Sequence, residues 1–190
     1  MRFLFFFFLI SGLMLAIACQ NDVHDVERVA GKKESFATIA GKEVDMDYVD
    51  SGLVRLKLHA GLLKRYEFNV KEPYYEIDSG LKIIFFDKDG KETSTLSSRY
   101  GIYYESSKRV EVRYNVVVTN REGKRLETEK LSWRENDSIR NEGDAYLIEN
   151  DRRMHGKKLI ASNDFSHMEL EDYVIQIPVE SFEKNEKENP

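Results

Sequence analysis

The 190 residues hold a single cysteine, Cys19, which excludes an internal disulfide framework and any cysteine-rich metal site. Three prolines and eleven glycines exclude collagen-like and proline-rich architectures. An excess of positive charge is also missing. The 29 basic and 34 acidic residues leave a net charge of −5, which argues against a general nucleic-acid binder. Charged residues make up 33% and apolar residues 41%, so the chain is neither a disordered polyanion nor a polytopic membrane protein. The length suits one domain. What is present is an aromatic-rich body of 11 Phe, 10 Tyr and 1 Trp, behind an unusual front end.

Residues 1–18 carry one charge, Arg2, then an apolar run from Phe3 to Ile10, a Ser11-Gly12 break and a second run from Leu13. That order is the order of a secretory signal, and the unbroken run is short of the roughly 20 residues a membrane span needs. Ala16-Ile17-Ala18-Cys19 then resembles a bacterial lipoprotein lipobox, with Ala at the position where Leu is commonest. The expectation is cleavage before Cys19 and a diacylglycerol on its sulfur, which holds the chain at a membrane surface. The alternative is an uncleaved N-terminal anchor helix with an incidental cysteine. Residues 19–45 are polar and weakly periodic and read as the lipidated N-terminus and tether, 46–180 as the folded body, and 181–190 as a flexible charged tail.

In the body the dominant period is two. Val54, Leu56, Leu58 and Ala60 alternate with Arg55, Lys57 and His59, and Val110, Val112, Tyr114, Val116 and Val118 alternate with polar residues apart from Val117. Such alternation marks strands with one dry and one wet face. From Ser107 onward turn signals recur about every 13 to 16 residues, the pace of an antiparallel meander. Val110, Ile139 and Met168 stand 29 residues apart, a faint internal repeat of paired strands. The expected class is all-β. Without helices to cover them, the dry faces must meet each other, around a packed core or a ligand-holding interior.

Chemistry of other kinds is hard to find. The four histidines show no metal spacing, so no metal site and no cofactor are expected. Asp87-Lys88-Asp89-Gly90 imitates a calcium loop, but Lys91 and Ser98 occupy ligand positions, and a hairpin turn fits better. Ser79-Gly80-Leu81-Lys82 has the Ser-x-x-Lys spacing of penicillin-binding enzymes, yet it sits in a turn that feeds a strand. No catalytic residue is expected.

Several ordered segments resemble the LptC family, the periplasmic component of bacterial lipopolysaccharide export. They are Tyr48-Val49-Asp50-Ser51-Gly52 running into Arg55 to Ala60, Gly80 to Gly90, Leu96-Ser97-Ser98-Arg99-Tyr100-Gly101, Val116 to Asn120, Leu126 to Trp133, and Met154 to Leu159 into Ser162-Asn163-Asp164-Phe165. The resemblance implies a twisted open β-jellyroll that shields the acyl chains of lipopolysaccharide. It implies docking to an inner-membrane ABC transporter and hand-over to a periplasmic β-jellyroll bridge protein, with no enzyme activity. Many family members hold a transmembrane helix where this chain carries a lipobox.

Together these readings place lipopolysaccharide binding on Leu56, Leu58, Ile83, Phe85, Leu96, Val112, Tyr114, Val116 and Val118, the dry-face residues. The bridge-protein edge is expected along Tyr173, Ile175 and Ile177, where Pro178 ends the ladder, with Gly156 leaving room for close approach. The transporter contact is expected at Tyr48, Ser51 and Gly52, nearest the tether. The expected location is the periplasmic face of the inner membrane. The rival readings are a lipoprotein carrier of another half-barrel type and a plain envelope scaffold with a packed core.

Overall fold

The computed structural model describes residues 35–134, 137–141, 143–150 and 152–176. Cys19, the leader, the charged tail, Ile177 and Pro178 lie outside the described residues. The strands are β1 (Ala37–Asp50), β2 (Leu53–Tyr66), β3 (Tyr74–Phe86), β4 (Glu92–Ser98), β5 (Tyr100–Tyr104), β6 (Arg109–Asn120), β7 (Arg125–Arg134), β8 (Ile139–Arg140), β9 (Ala145–Glu149), β10 (Arg152–Gly156), β11 (Lys158–Ala161), β12 (Met168–Glu171) and β13 (Val174–Gln176). They form one 13-stranded sheet, and the described residues contain no helix. The chain is all-β, with the antiparallel pairing of a jellyroll.

The long strands bend, and each half pairs with a different neighbour. β3 pairs with β5 over Tyr74–Ile77 and with β4 over Leu81–Phe86. β6 pairs with β5 over Arg109–Arg113 and with β4 over Val117–Asn120. The sheet therefore forks into two flanks whose apolar faces share one core. The bends fall where the backbone turns left-handed: Ser79 (φ 65°) and Gly80 (φ 113°) in β3, Tyr114 (φ 67°) and Asn115 (φ 54°) in β6, and Asp172 (φ 51°) between β12 and β13. Gly and Asn accept this conformation at little cost, so they supply two of the three corners. The 29-residue step is a bent hairpin: Val110, Ile139 and Met168 start in one flank, and Val118, Leu147 and Ile175 follow in the other.

Turn chemistry holds the hairpin tips. The Asp87 carboxylate accepts the amides of Asp89 (2.9 Å) and Lys91 (2.8 Å), and Gly90 takes φ 74°. The Lys91 amide, assisted by Asp89 and Arg121, holds the Asp87 carboxyl below its ordinary range despite some desolvation. The calcium-like motif is thus a hairpin turn.

Three sequence expectations need correction. The body begins earlier than residue 46: β1 starts at Ala37 and pairs with β2 from Tyr66 to Leu53. Almost every residue of β1 is exposed, because β2 is its only partner, so it carries little of the alternation that marks half-buried strands. Tyr48 and Gly52 consequently sit at the far end of a 14-residue strand, away from the point where the tether joins. Tyr114 is 52% exposed rather than on the dry face, because the left-handed corner at Tyr114-Asn115 lifts it out of the ladder where the register jumps from Arg113 to Val116, while Val112 and Val116 on either side stay buried.

Candidate lipid-handling interior

Residues directly opposite each other on paired strands share a face of the sheet. Following the register from strand to strand gives one apolar row along the inner face of the first flank. It runs Met46–Leu58–Ile83–Leu96–Val118–Leu126–Leu147–Met154–Ile175, from β1 to β13. The second flank contributes a facing row, Leu63–Ile77–Gly101–Val112–Leu131. Gly101 leaves room for the Leu81 side chain, since a Cβ there would stand 2.7 Å from a Leu81 methyl and push it aside.

The first row is dry in the middle and open at both ends. Leu96, Val118 and Leu126 are fully buried, whereas Met46 and Ile175 are each 44% exposed. Of the residues expected to face acyl chains, Ile83, Phe85, Leu96, Val112, Val116 and Val118 lie in the closed core. Leu56 and Leu58 are half-buried beside Val44 at the β1–β2 mouth. The side chains that open an apolar entrance are therefore Met46, Tyr48, Leu56 and Leu58, of which sequence periodicity finds only the last two as apolar-face residues.

Phe165 closes the middle, and periodicity misses it because it stands in the β11–β12 loop. Its ring is fully buried, edge-on to Phe85 at 5.6 Å and to Trp133 at 6.0 Å, and so joins the flanks. The loop is pinned: the Thr93 and Ser94 hydroxyls donate to the Asp164 carbonyl, and the Asn120 amide donates to that of Ser166. Burial pushes the Asp164 carboxyl up, but hydrogen bonds from Ser166 (Oγ, 2.7 Å; N, 3.1 Å) and Ser162 (Oγ, 2.9 Å) outweigh it and hold the group below the ordinary range.

The other expected sites are dispersed. Ser51 (φ 53°) and Gly52 (φ 80°) form the exposed tip of the β1–β2 hairpin, with Tyr48 opposite Leu56 on the adjoining strand. Tyr173, Val174 and Ile175 are exposed, and β13 pairs only with β10, so its other side is an edge among the described residues. Gly156 does not belong to that edge. It is buried opposite Ala145, and a Cβ there would lie 3.0 Å from both the Glu171 carbonyl and the Leu170 side chain. The space beside it is filled by β12 of the same chain, so its glycine serves internal packing. Ser79 is exposed at the β3 corner, its amide bound to the carboxylate of its neighbour Asp78 at 2.7 Å.

The described strands form an all-β jellyroll whose inner face carries a continuous apolar row, exposed at its first and last strands. The chain belongs to the LptC-related family of lipopolysaccharide assembly, whose family model matches residues 4–175. Membership places it in the lipopolysaccharide transport (Lpt) system of the cell envelope, as a transport component rather than an enzyme. No curated protein compared with the chain matches it.

Proposed function

We propose that this chain accepts lipopolysaccharide from the inner-membrane ABC transporter and passes it to a periplasmic β-jellyroll bridge while tethered through acylated Cys19. The observation that carries this reading is the apolar row from Met46 to Ile175, exposed at its two ends and buried between them. Acyl chains enter at the β1–β2 mouth, where Met46, Leu56 and Leu58 replace the water around them. Burial of apolar surface contributes about 25 cal/mol per Å². The flanks then separate around the chain, and the Phe165 loop yields the space it fills at rest. At the far end the side of β13 that has no partner among the described residues adds a strand of the bridge, continuing the sheet and its row into the next protein.

The closed middle of the core favours a second reading, an envelope scaffold with no lipid cargo. Native mass spectrometry after mild detergent extraction separates the two. Lipopolysaccharide bound to the chain supports transfer, and a chain that emerges without lipid from lipopolysaccharide-replete cells supports the scaffold.

A further inference from the structure

The outer face of the second flank carries a feature the acyl-chain interior does not use. Arg109, Arg134 and Arg140 line one open hollow of about 460 Å³ with Ser132, Ser138, Trp133 and a single carboxylate, Asp137, so its cations outnumber its acids three to one. Arg109 stands directly opposite Arg134, and Arg140 opposite Ser132, so one face presents all three guanidinium groups. Like charges facing each other across a strand pair are unfavourable. The nearby Glu111 pairs with Arg109 (3.1 Å), but it is shared with Arg113 and Lys130 (3.5 Å) and balances only one of the hollow's three cations. Arg134 and Arg140 take part in none of the ion pairs formed among the described residues. In a chain of net charge −5 this is a local reversal of sign, shaped as a concavity.

The same cross-strand line continues away from the hollow as a row of tyrosines. Tyr66 stacks on Tyr74 at 4.8 Å, Tyr74 meets Tyr104 at 5.9 Å, and the Arg109 guanidinium lies 4.0 Å over the Tyr104 ring. Register places all of them on the face that carries Arg134. Arginine forks match phosphate oxygens through paired charge-assisted hydrogen bonds, and aromatic rings with polar tips offer a platform for sugar rings.

We infer that this hollow binds the phosphate group of a phosphorylated saccharide, the headgroup end of a glycolipid, with the tyrosine row beneath the adjoining sugar. The choice of a glycolipid headgroup rests on the transfer reading. The headgroup would be held outside the flank while acyl chains occupy the interior, so the two ends of one lipid would be read on different surfaces.

The test titrates the full chain, in mild detergent, with a deacylated bisphosphorylated glucosamine disaccharide and, separately, with inorganic phosphate. Saturable disaccharide binding is expected, at least tenfold tighter than inorganic phosphate. It should weaken at least tenfold in Arg134→Ala/Arg140→Ala and remain unchanged in Arg125→Ala, a charge outside the hollow. Tyr104→Leu should weaken the disaccharide and leave inorganic phosphate unaffected, a result that a general loss of fold would not give. Equal binding by wild type and the double variant, or inorganic phosphate binding as tightly as the disaccharide, would overturn the assignment. Disaccharide binding without capture of intact lipid would uphold this site and remove the transfer reading. Intact lipid captured with no disaccharide binding would do the reverse.

Discussion

Replacing Phe165 by alanine removes a loop side chain that touches both flanks. The ring is fully buried and makes edge-on contacts with Phe85 and Trp133. Phe→Ala changes in cores cost about 3–5 kcal/mol, the spread reflecting how far the site collapses. Collapse is restricted here, because the loop backbone is tied to β4 by the Thr93 and Ser94 hydroxyls and to β6 by Asn120. The residue also sits at φ 53°, a conformation a bulky side chain adopts only when its packing outweighs the strain. The expected loss is therefore about 4 kcal/mol, or a fall in Tm of roughly 10–15 °C for a domain of this size. Urea unfolding followed by tryptophan emission reads it directly, since Trp133 is the single tryptophan and a neighbour of the ring. Phe165→Leu, which keeps most of the volume, should lose under about 2 kcal/mol. A Phe165→Ala loss below about 1 kcal/mol would refute the argument that this ring joins the flanks.

Other outcomes follow from single contacts. Gly61→Ala places a Cβ 2.4 Å from the Ser79 carbonyl, a backbone atom with little freedom, and should destabilise the fold by about 1–3 kcal/mol in the same assay. The Asp164 carboxyl is depressed in the folded chain, so its contribution is complete above the ordinary aspartate pKa and is lost as pH falls through the lowered folded value, below about pH 4. The difference in stability between wild type and Asp164→Asn, measured by urea unfolding, should therefore shrink on acidification, and a difference that grows would contradict the hydrogen-bond geometry. Val174→Pro removes a donor from β13 and should weaken pull-down of the bridge protein while thermal stability stays close to wild type, as β13 is exposed and pairs only with β10. Unchanged capture of the bridge would move the hand-over edge elsewhere. Cys19→Ser should abolish metabolic labelling with a fatty acid and leave an uncleaved precursor, and continued labelling would remove the lipobox assignment.

Much of the fold was legible because a half-buried strand writes its faces into the chain. Val112, Val116 and Val118, like Ile83 and Phe85, point inward as their alternation implied. The resemblance to the LptC family was legible in the same segments, and the family match agrees with it. The failures have physical causes. β1 has water along most of its surface, so hydrophobic alternation has nothing to record from Ala37 to Asp45. At Tyr114 a left-handed corner takes one residue out of the period of two, and no glycine or proline marks the place. Phe165 is core without being in a strand, held by a Ser-Asn-Asp turn whose sequence reads only as a loop. Gly156 is a glycine for internal packing, and one sequence cannot separate that from a glycine kept for a partner. The arginine hollow unites residues from β6, β7 and β8 that carry no common motif.

The central claim is that lipid acyl chains enter between the flanks at the β1–β2 mouth. A photocrosslinking residue placed singly at Leu58 and at Lys57, in cells exporting lipopolysaccharide, tests it most directly, because neighbours on one strand face opposite sides. Leu58 is half-buried on the inner row opposite Met46, and Lys57 is exposed on the outer face opposite Asp47. Lipopolysaccharide adducts at position 58 and none at 57 are predicted. Equal labelling at both positions, or labelling at 57 alone, would contradict the account.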